Sequence, residues 1–293
     1  MLSDLNTIPG KVVRLGDRGS TFVRDSGPGD NGRTPVVLLH GWTLTADAAF
    51  APVYAALSRT RRVISLDLRS HGRGIRSSDG YRLDDAADDV IALLDELGVP
   101  SAILCGYSMG GGIAADAVSR YPERVRGTII IGSAACYTMT ARDRMIWRIC
   151  RILTVLPHLG INLNPGVVIS RLFGILRPRG RVRWNWMAGE LRQTSLSDVL
   201  AIALEIPRID LRPQLQQAPT RPSEMILTTK DQLCRPFMQA ELGELLGSHV
   251  IMVPTGHHMP VSDPARFKDL LLDALGRLDR KIGEQDSRSD RLA

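Results

Sequence analysis

One pentapeptide constrains this chain more than any other part of it. Gly106-Tyr107-Ser108-Met109-Gly110 lies between the apolar run Ala102 to Cys105 and the helix-compatible run Gly111 to Tyr121, so it reads as a strand that reverses sharply into a helix. Such a turn forces its central residue into a strained backbone conformation, and only small neighbours two positions away on each side avoid clashing with it. Gly106 and Gly110 meet that demand. The turn would lift the Ser108 hydroxyl clear of a sheet, and the helix beginning beside it would aim backbone N–H groups at any negative charge that develops there. The segment therefore reads as a nucleophile elbow.

The flanking pattern extends the same architecture. Two weak strands are expected near Lys11 to Leu15 and Thr21 to Arg24, before a loop from Asp25 to Thr34 that is dense in Gly, Pro, Asp and Asn. Val36 to Leu39, Val63 to Leu66, Ala102 to Cys105 and Val125 to Ile131 are short continuous apolar runs, as expected for strands covered on both faces. Met225 to Thr228 and Val250 to Val253 read as two more. Helices are expected at Leu83 to Leu97, stopped by Gly98 and Pro100, at Met109 to Tyr121, at Pro236 to Leu246, and at Pro264 to Leu278, after which Gly283 to Ala293 reads as a polar, frayed tail. Strands alternating with helices at this spacing imply an α/β fold with a doubly wound, mostly parallel sheet. Between Ala135 and about Pro219 the rhythm breaks: Trp147, Trp184 and Trp186 occur there, with Pro157, Gly160, Pro165 and Pro178 as helix breakers. The expected organisation is a core of residues 1–135 and 220–293 carrying a helical cap insertion over 136–219.

Composition excludes several classes. With 293 residues, 44% of them apolar and 23% charged, the chain can bury a full core and is an ordinary globular protein. The stretch Met1 to Gly10 contains Asp4 and no apolar h-region, which argues against a secretory signal, and no run is apolar enough to span a bilayer. Cys105, Cys136, Cys150 and Cys234 form no CxxC pair and no ligand spacing, so reduced thiols in a cytoplasmic protein are expected, possession of a metal site is not, and nucleic acid is not expected as a partner despite the net charge of +6. The basic excess is local. Nine arginines (142, 144, 148, 151, 171, 177, 179, 181 and 183) face the single acid Asp143 between Cys136 and Asn185.

A serine hydroxyl near neutrality needs a histidine base, itself oriented by a carboxylate. Asp231 follows the strand ending at Thr228, and His257 follows the strand ending at Val253. The carboxyl ends of parallel strands share one edge of a sheet, so these residues would converge with Ser108. His258 is the neighbouring alternative base. Asp263 and Asp210 are alternative acids, though neither directly follows an expected sheet strand.

With those residues in place, the chain resembles the α/β-hydrolase family, especially its cofactor-free members with a helical cap. His40-Gly41 resembles the family's HG motif, and by that resemblance the N–H groups of Trp42 and Met109 form the oxyanion hole. Asp67-Leu68-Arg69-Ser70-His71-Gly72 is similar to the D-x-R-G-H-G loop with Ser70 in the glycine position, and is read as structural. Gly256-His257, with Pro264 seven residues on and Phe267 ten on, resembles the catalytic-histidine segment. The resemblance implies a catalytic set of Ser108, Asp231 and His257, no cofactor and no metal, and hydrolysis of a carboxylic ester or other small acyl substrate through an acyl-enzyme. Serine at the elbow disfavours epoxide hydrolases and haloalkane dehalogenases, which need aspartate there. Thioester, lactone, amide and C–C hydrolysis, acyl transfer and perhydrolysis stay open, as does a non-catalytic receptor on the same scaffold. Met145 to Val155 and Val167 to Leu176 read as amphipathic helices with cationic faces, either solvated or in peripheral contact with membrane lipid, over a pocket suited to medium or long acyl chains. Oligomeric state is open.

Overall fold

The computed structural model describes residues 7–28, 32–76, 80–155, 159–160 and 181–289. Its centre is an eight-stranded sheet: β1 (Gly10–Arg14), β2 (Ser20–Asp25), β3 (Val36–Leu39), β4 (Val63–Leu66), β5 (Ala102–Tyr107), β6 (Val125–Ile131), β7 (Ser223–Thr228) and β8 (His249–Val253). The spatial order is β1-β2-β4-β3-β5-β6-β7-β8. β1 and β2 pair antiparallel and join the edge at β4, and from β4 to β8 every pairing is parallel.

Each buried strand divides its side chains between two cores, as the alternation of a pleated strand requires. Val37 and Leu39 of β3 and Leu104 of β5 enter one core with α2 (Leu83–Glu96), α3 (Met109–Arg120) and α8 (Pro236–Leu245). Val36, Leu38, Ile103 and Cys105 enter the other with α1 (Ala46–Ser58) and α10 (Pro264–Ser289), where Phe50 and Phe267 pack at 6.1 Å. Covering on both faces explains why these strands are continuous apolar runs rather than alternating ones.

The strand order also makes a crevice. The chain leaves β3 through α1 to β4 on one side, then crosses back through α2 to β5 on the other side of β3. The loops after β3 and β5 therefore diverge at the carboxyl edge, the switch point where open α/β sheets hold ligands. Between β6 and β7 the described elements are helical: α4 (Ala141–Leu153), α5 (Arg181–Leu191), α6 (Leu196–Glu205) and α7 (Arg212–Leu215). Ser195 caps α6, accepting from the Asp198 N–H at 3.1 Å. The short α9 (Met259–Ser262) precedes α10. Among the described residues no helix is long and apolar enough to cross a membrane.

Two features depart from the sequence reading. α1 was not expected: Pro52 stands inside it, and it is buried on nearly every side, so it shows no clear apolar stripe. Nor is the tail frayed from Gly283. α10 continues to Ser289 because Ile282 is still buried on the sheet and Lys281 reaches the buried Glu224 at 2.8 Å, while Asp286 pairs with Arg126. The expected helix over Val167 to Leu176, like Pro157, Pro165 and Pro178, lies outside the described residues. Ser70, where the related loop pattern has glycine, is held at φ +60, a left-handed conformation that costs a serine about 1 kcal/mol.

Candidate active site

Ser108 sits between the last residue of β5 and the first of α3 with φ +53 and ψ −121. The flanking glycines are steric necessities: a Cβ on Gly106 would fall onto the Gly110 carbonyl, and one on Gly110 would fall onto the Leu39 carbonyl of β3. The Ser108 N–H donates to the Ile131 carbonyl at 2.8 Å, which fixes the turn against β6 and leaves the hydroxyl free to point off the sheet.

Three strand ends converge on that hydroxyl. His257 Nε2 lies 2.9 Å from Ser108 Oγ, and its Nδ1 lies 2.7 Å from Asp231 Oδ2. The carboxylate accepts at Nδ1, so Nδ1 carries the proton and Nε2 is left to accept from the serine. Asp231 is anchored in turn. Its Oδ1 accepts from the N–H groups of Leu233 (2.8 Å) and Cys234 (3.0 Å), and its Oδ2 accepts from Thr228 Oγ1 (2.9 Å) and Gln239 Nε2 (3.3 Å). The Tyr107 hydroxyl donates to the His257 carbonyl at 2.7 Å and holds the histidine loop against β5.

The alternatives stand elsewhere. His258 lies edge-on to the His257 ring at 5.3 Å, and burial, with the neighbouring His257, pushes its imidazole down to about 4. Asp263 accepts from the Arg266 N–H at the start of α10, and Asp210 is tied to Arg212. The residues of the D-x-R-S-H-G loop bond to other groups. Asp67 accepts from the Ala46 N–H and from Arg73, Arg69 pairs with the buried Asp89 at 2.7 Å, and His40 accepts from the Leu68 N–H at 2.9 Å.

Met109 is the first residue of α3, so its N–H is one of the helix-terminal donors without an intrahelical acceptor. The Gly41-Trp42 segment passes directly over the serine: a Cβ on Gly41 would lie 3.1 Å from Ser108 Cβ. Thr43 then turns the chain at φ +70, a strained value for a β-branched residue. The Trp42 ring donates to the Val199 carbonyl of α6 at 3.2 Å and packs on Trp147 of α4 at 5.8 Å.

Above the serine is a cavity of about 290 Å³, with Ile146, Trp147 and Cys150 of α4, Met187 and Leu191 of α5 and Ile206 among its walls. Its lining is predominantly apolar, and among the described residues it includes no lysine or arginine. Side-chain bonds to the core help to hold these helices over the site. Glu190 of α5 accepts from Thr45 Oγ1 at 2.7 Å, and Arg235 bonds Thr140 and Asp143 at the start of α4.

Sequence reading missed Tyr107, Thr228, Gln239 and Arg235. Gln239 offered the one usable signal, a polar residue at a fully buried position on the inner face of α8 beside Met238 and Leu242. The others depend on which strand ends become neighbours.

The Alpha/beta hydrolase family model matches residues 36–270. The chain belongs to that family and has the α/β-hydrolase fold. It is 42% identical over 112 residues to the bifunctional esterase/perhydrolase DCH of Acinetobacter calcoaceticus, covering 38% of this chain and 40% of that one. With a 2-hydroxymuconate semialdehyde hydrolase of Pseudomonas sp. (strain CF600) it shares 27% identity over 283 residues, 92% and 94% of the two chains. The stretches shared with the higher-identity curated relatives span less than half the length of each. Among solved structures, the enol-lactonase from Burkholderia xenovorans LB400 superposes with a TM-score of 0.74 at 21% identity, over 91% of this chain and all of that one.

Proposed function

We propose that this protein is a serine hydrolase that cleaves carboxylic esters of uncharged, medium or longer acyl groups through an acyl-enzyme on Ser108. The observation that carries the reading is the unbroken relay from Ser108 Oγ through His257 to Asp231, at 2.9 and 2.7 Å, opening into an apolar cavity. His257 Nε2 takes the hydroxyl proton as Ser108 Oγ bonds to the acyl carbon, and Asp231 stabilises the imidazolium without taking the proton. The Trp42 and Met109 N–H groups receive the oxyanion. The C–O bond to the leaving alcohol then breaks, and that alcohol leaves with the proton from His257. Water repeats the sequence to release the acid. The described helices between β6 and β7 act as a cap that roofs the acyl pocket and excludes water other than the attacking molecule.

A second reading, hydrolysis of a carbon–carbon bond on the same triad, draws on the full-length similarity to the 2-hydroxymuconate semialdehyde hydrolase. The lining disfavours it for anionic keto acids, since the described residues give a substrate carboxylate no cation to pair with. A non-catalytic receptor would not need the relay at all.

Ser108→Ala should abolish turnover of p-nitrophenyl esters and labelling by a fluorophosphonate probe while leaving the thermal transition in place. The wild type should turn over butyryl to octanoyl esters faster than acetyl. Retained activity in the alanine variant refutes the nucleophile, and a wild type inert to the probe refutes the enzyme reading in favour of the receptor.

A further inference from the structure

We propose that the outer face of α4 is a docking surface for an anionic phospholipid bilayer. This helix carries three stripes with three different environments. Ile146, Trp147 and Cys150 face inward to the cavity above Ser108. Met145, Ile149 and Ile152, at i, i+4 and i+7, are 56%, 50% and 70% exposed, and Val155 prolongs the row at 51%. Arg144, Arg148 and Arg151 form a parallel exposed row one residue earlier in each turn.

An exposed isoleucine row is an anomaly on a protein surface unless something apolar covers it. The neighbouring charges identify the cover. Beside the arginine row runs a groove of about 390 Å³ between α4 and the end of α6, walled by Arg144, Arg148, Arg151, Arg208, Leu204 and Trp147. Arg144 donates to the Thr138 carbonyl, Arg208 is near Glu205 at 3.4 Å, and among the described residues no acid pairs with Arg144, Arg148 or Arg151. Guanidinium groups lying next to an apolar stripe match the boundary of an anionic bilayer, where phosphates and acyl chains meet within one helix diameter. A second copy of this chain fits poorly, because a two-fold contact through this face would set one arginine row against the other.

The same helix thus has one face for the bilayer and one for the pocket. Docking would bring the protein to a source of acyl substrate. That delivery rests on the ester-hydrolase reading, whereas the docking itself does not.

The test is flotation of the Ser108→Ala protein with vesicles of phosphatidylcholine alone or mixed with phosphatidylglycerol. Binding is expected to the mixed vesicles and to weaken as salt rises. Arg148→Gln/Arg151→Gln should lower the partition coefficient roughly twenty-five-fold, at about fivefold per arginine. Ile149→Ser/Ile152→Ser should also lower it with the charge unchanged. All four positions are exposed, so the variants should keep the wild-type melting profile and, with Ser108 restored, wild-type turnover of a soluble short-chain ester. Failure to bind, equal binding to neutral vesicles, or indifference to both double variants overturns the proposal. Sedimentation velocity showing self-association that the isoleucine variant abolishes would assign the face to a second copy instead. Vesicle binding without esterase activity would retain the docking and refute the hydrolase reading.

Discussion

Two adjacent histidines compete for one role, and three distances separate them. His257 spans Ser108 and Asp231 within hydrogen-bond reach of both, whereas His258 stands edge-on to it at 5.3 Å with its imidazole pushed down to about 4. His258 lines the cavity without bonding the serine. His257→Ala should therefore lower kcat by roughly 10⁴-fold, and His258→Ala should change it by less than about tenfold. Steady-state kinetics on one p-nitrophenyl ester would check both, and the reverse ranking would reassign the base. At this scale the serine was legible because a strained turn demands glycine at fixed offsets in the chain. Thr228 and Gln239, which hold Asp231, were not legible because their partner is set by packing rather than by spacing.

At the scale of elements, Arg235 ties the start of α4 to the site. Arg235, the cap residue of α8, donates to Thr140 Oγ1 at 2.6 Å and to both carboxylate oxygens of Asp143 at 2.9 and 2.8 Å. Thr140 and Asp143 already form a capping box, so the arginine joins the loop after Asp231 to the start of the helix that walls the cavity. Arg235→Ala would leave the buried Asp143 carboxylate without its cation, a loss of about 1–3 kcal/mol. A lower melting temperature should accompany a higher KM for octanoyl than for acetyl esters relative to wild type. An unchanged KM series would show that α4 does not shape the acyl pocket. The sequence foretold an arginine-rich helix here, but α1 escaped notice. A helix buried on almost every side, with an internal proline, carries neither an apolar stripe nor a clean start and stop.

For the molecule as a whole, buried histidines set the acid limit of stability. Burial lowers His40, further depresses His71 beside it, and takes His258 down to about 4. In the unfolded chain each takes a proton near 6.5, so below that pH the unfolded state binds more protons than the folded one. The stability these groups contribute is complete above pH 6.5 and is lost as pH falls toward 4. Glu190, raised by burial, works in the opposite direction near the lower end of this window. Asp25 and Glu224, lowered by their arginine and lysine partners against the desolvation of burial, extend the loss below about 4. Urea midpoints measured from pH 7 to pH 4.5 should fall steadily, and His258→Gln should flatten the slope. A midpoint constant across that range would contradict the burial of these imidazoles.

What the sequence determined by itself is what local sterics and periodicity encode: the order of the strands and of the helices other than α1 that flank them, the doubly wound sheet, and the turn that presents Ser108. Apolar runs bury themselves, and a left-handed serine needs glycine beside it whatever else the chain does. Only the tertiary structure decided which strand ends meet, and with them that His257 rather than His258 lies between Ser108 and Asp231, that Gln239 and Thr228 brace the carboxylate, and that Arg235 fastens α4. Those contacts join residues up to 149 positions apart, and the sheet's switch point, a property of strand order and of no single segment, brings them together.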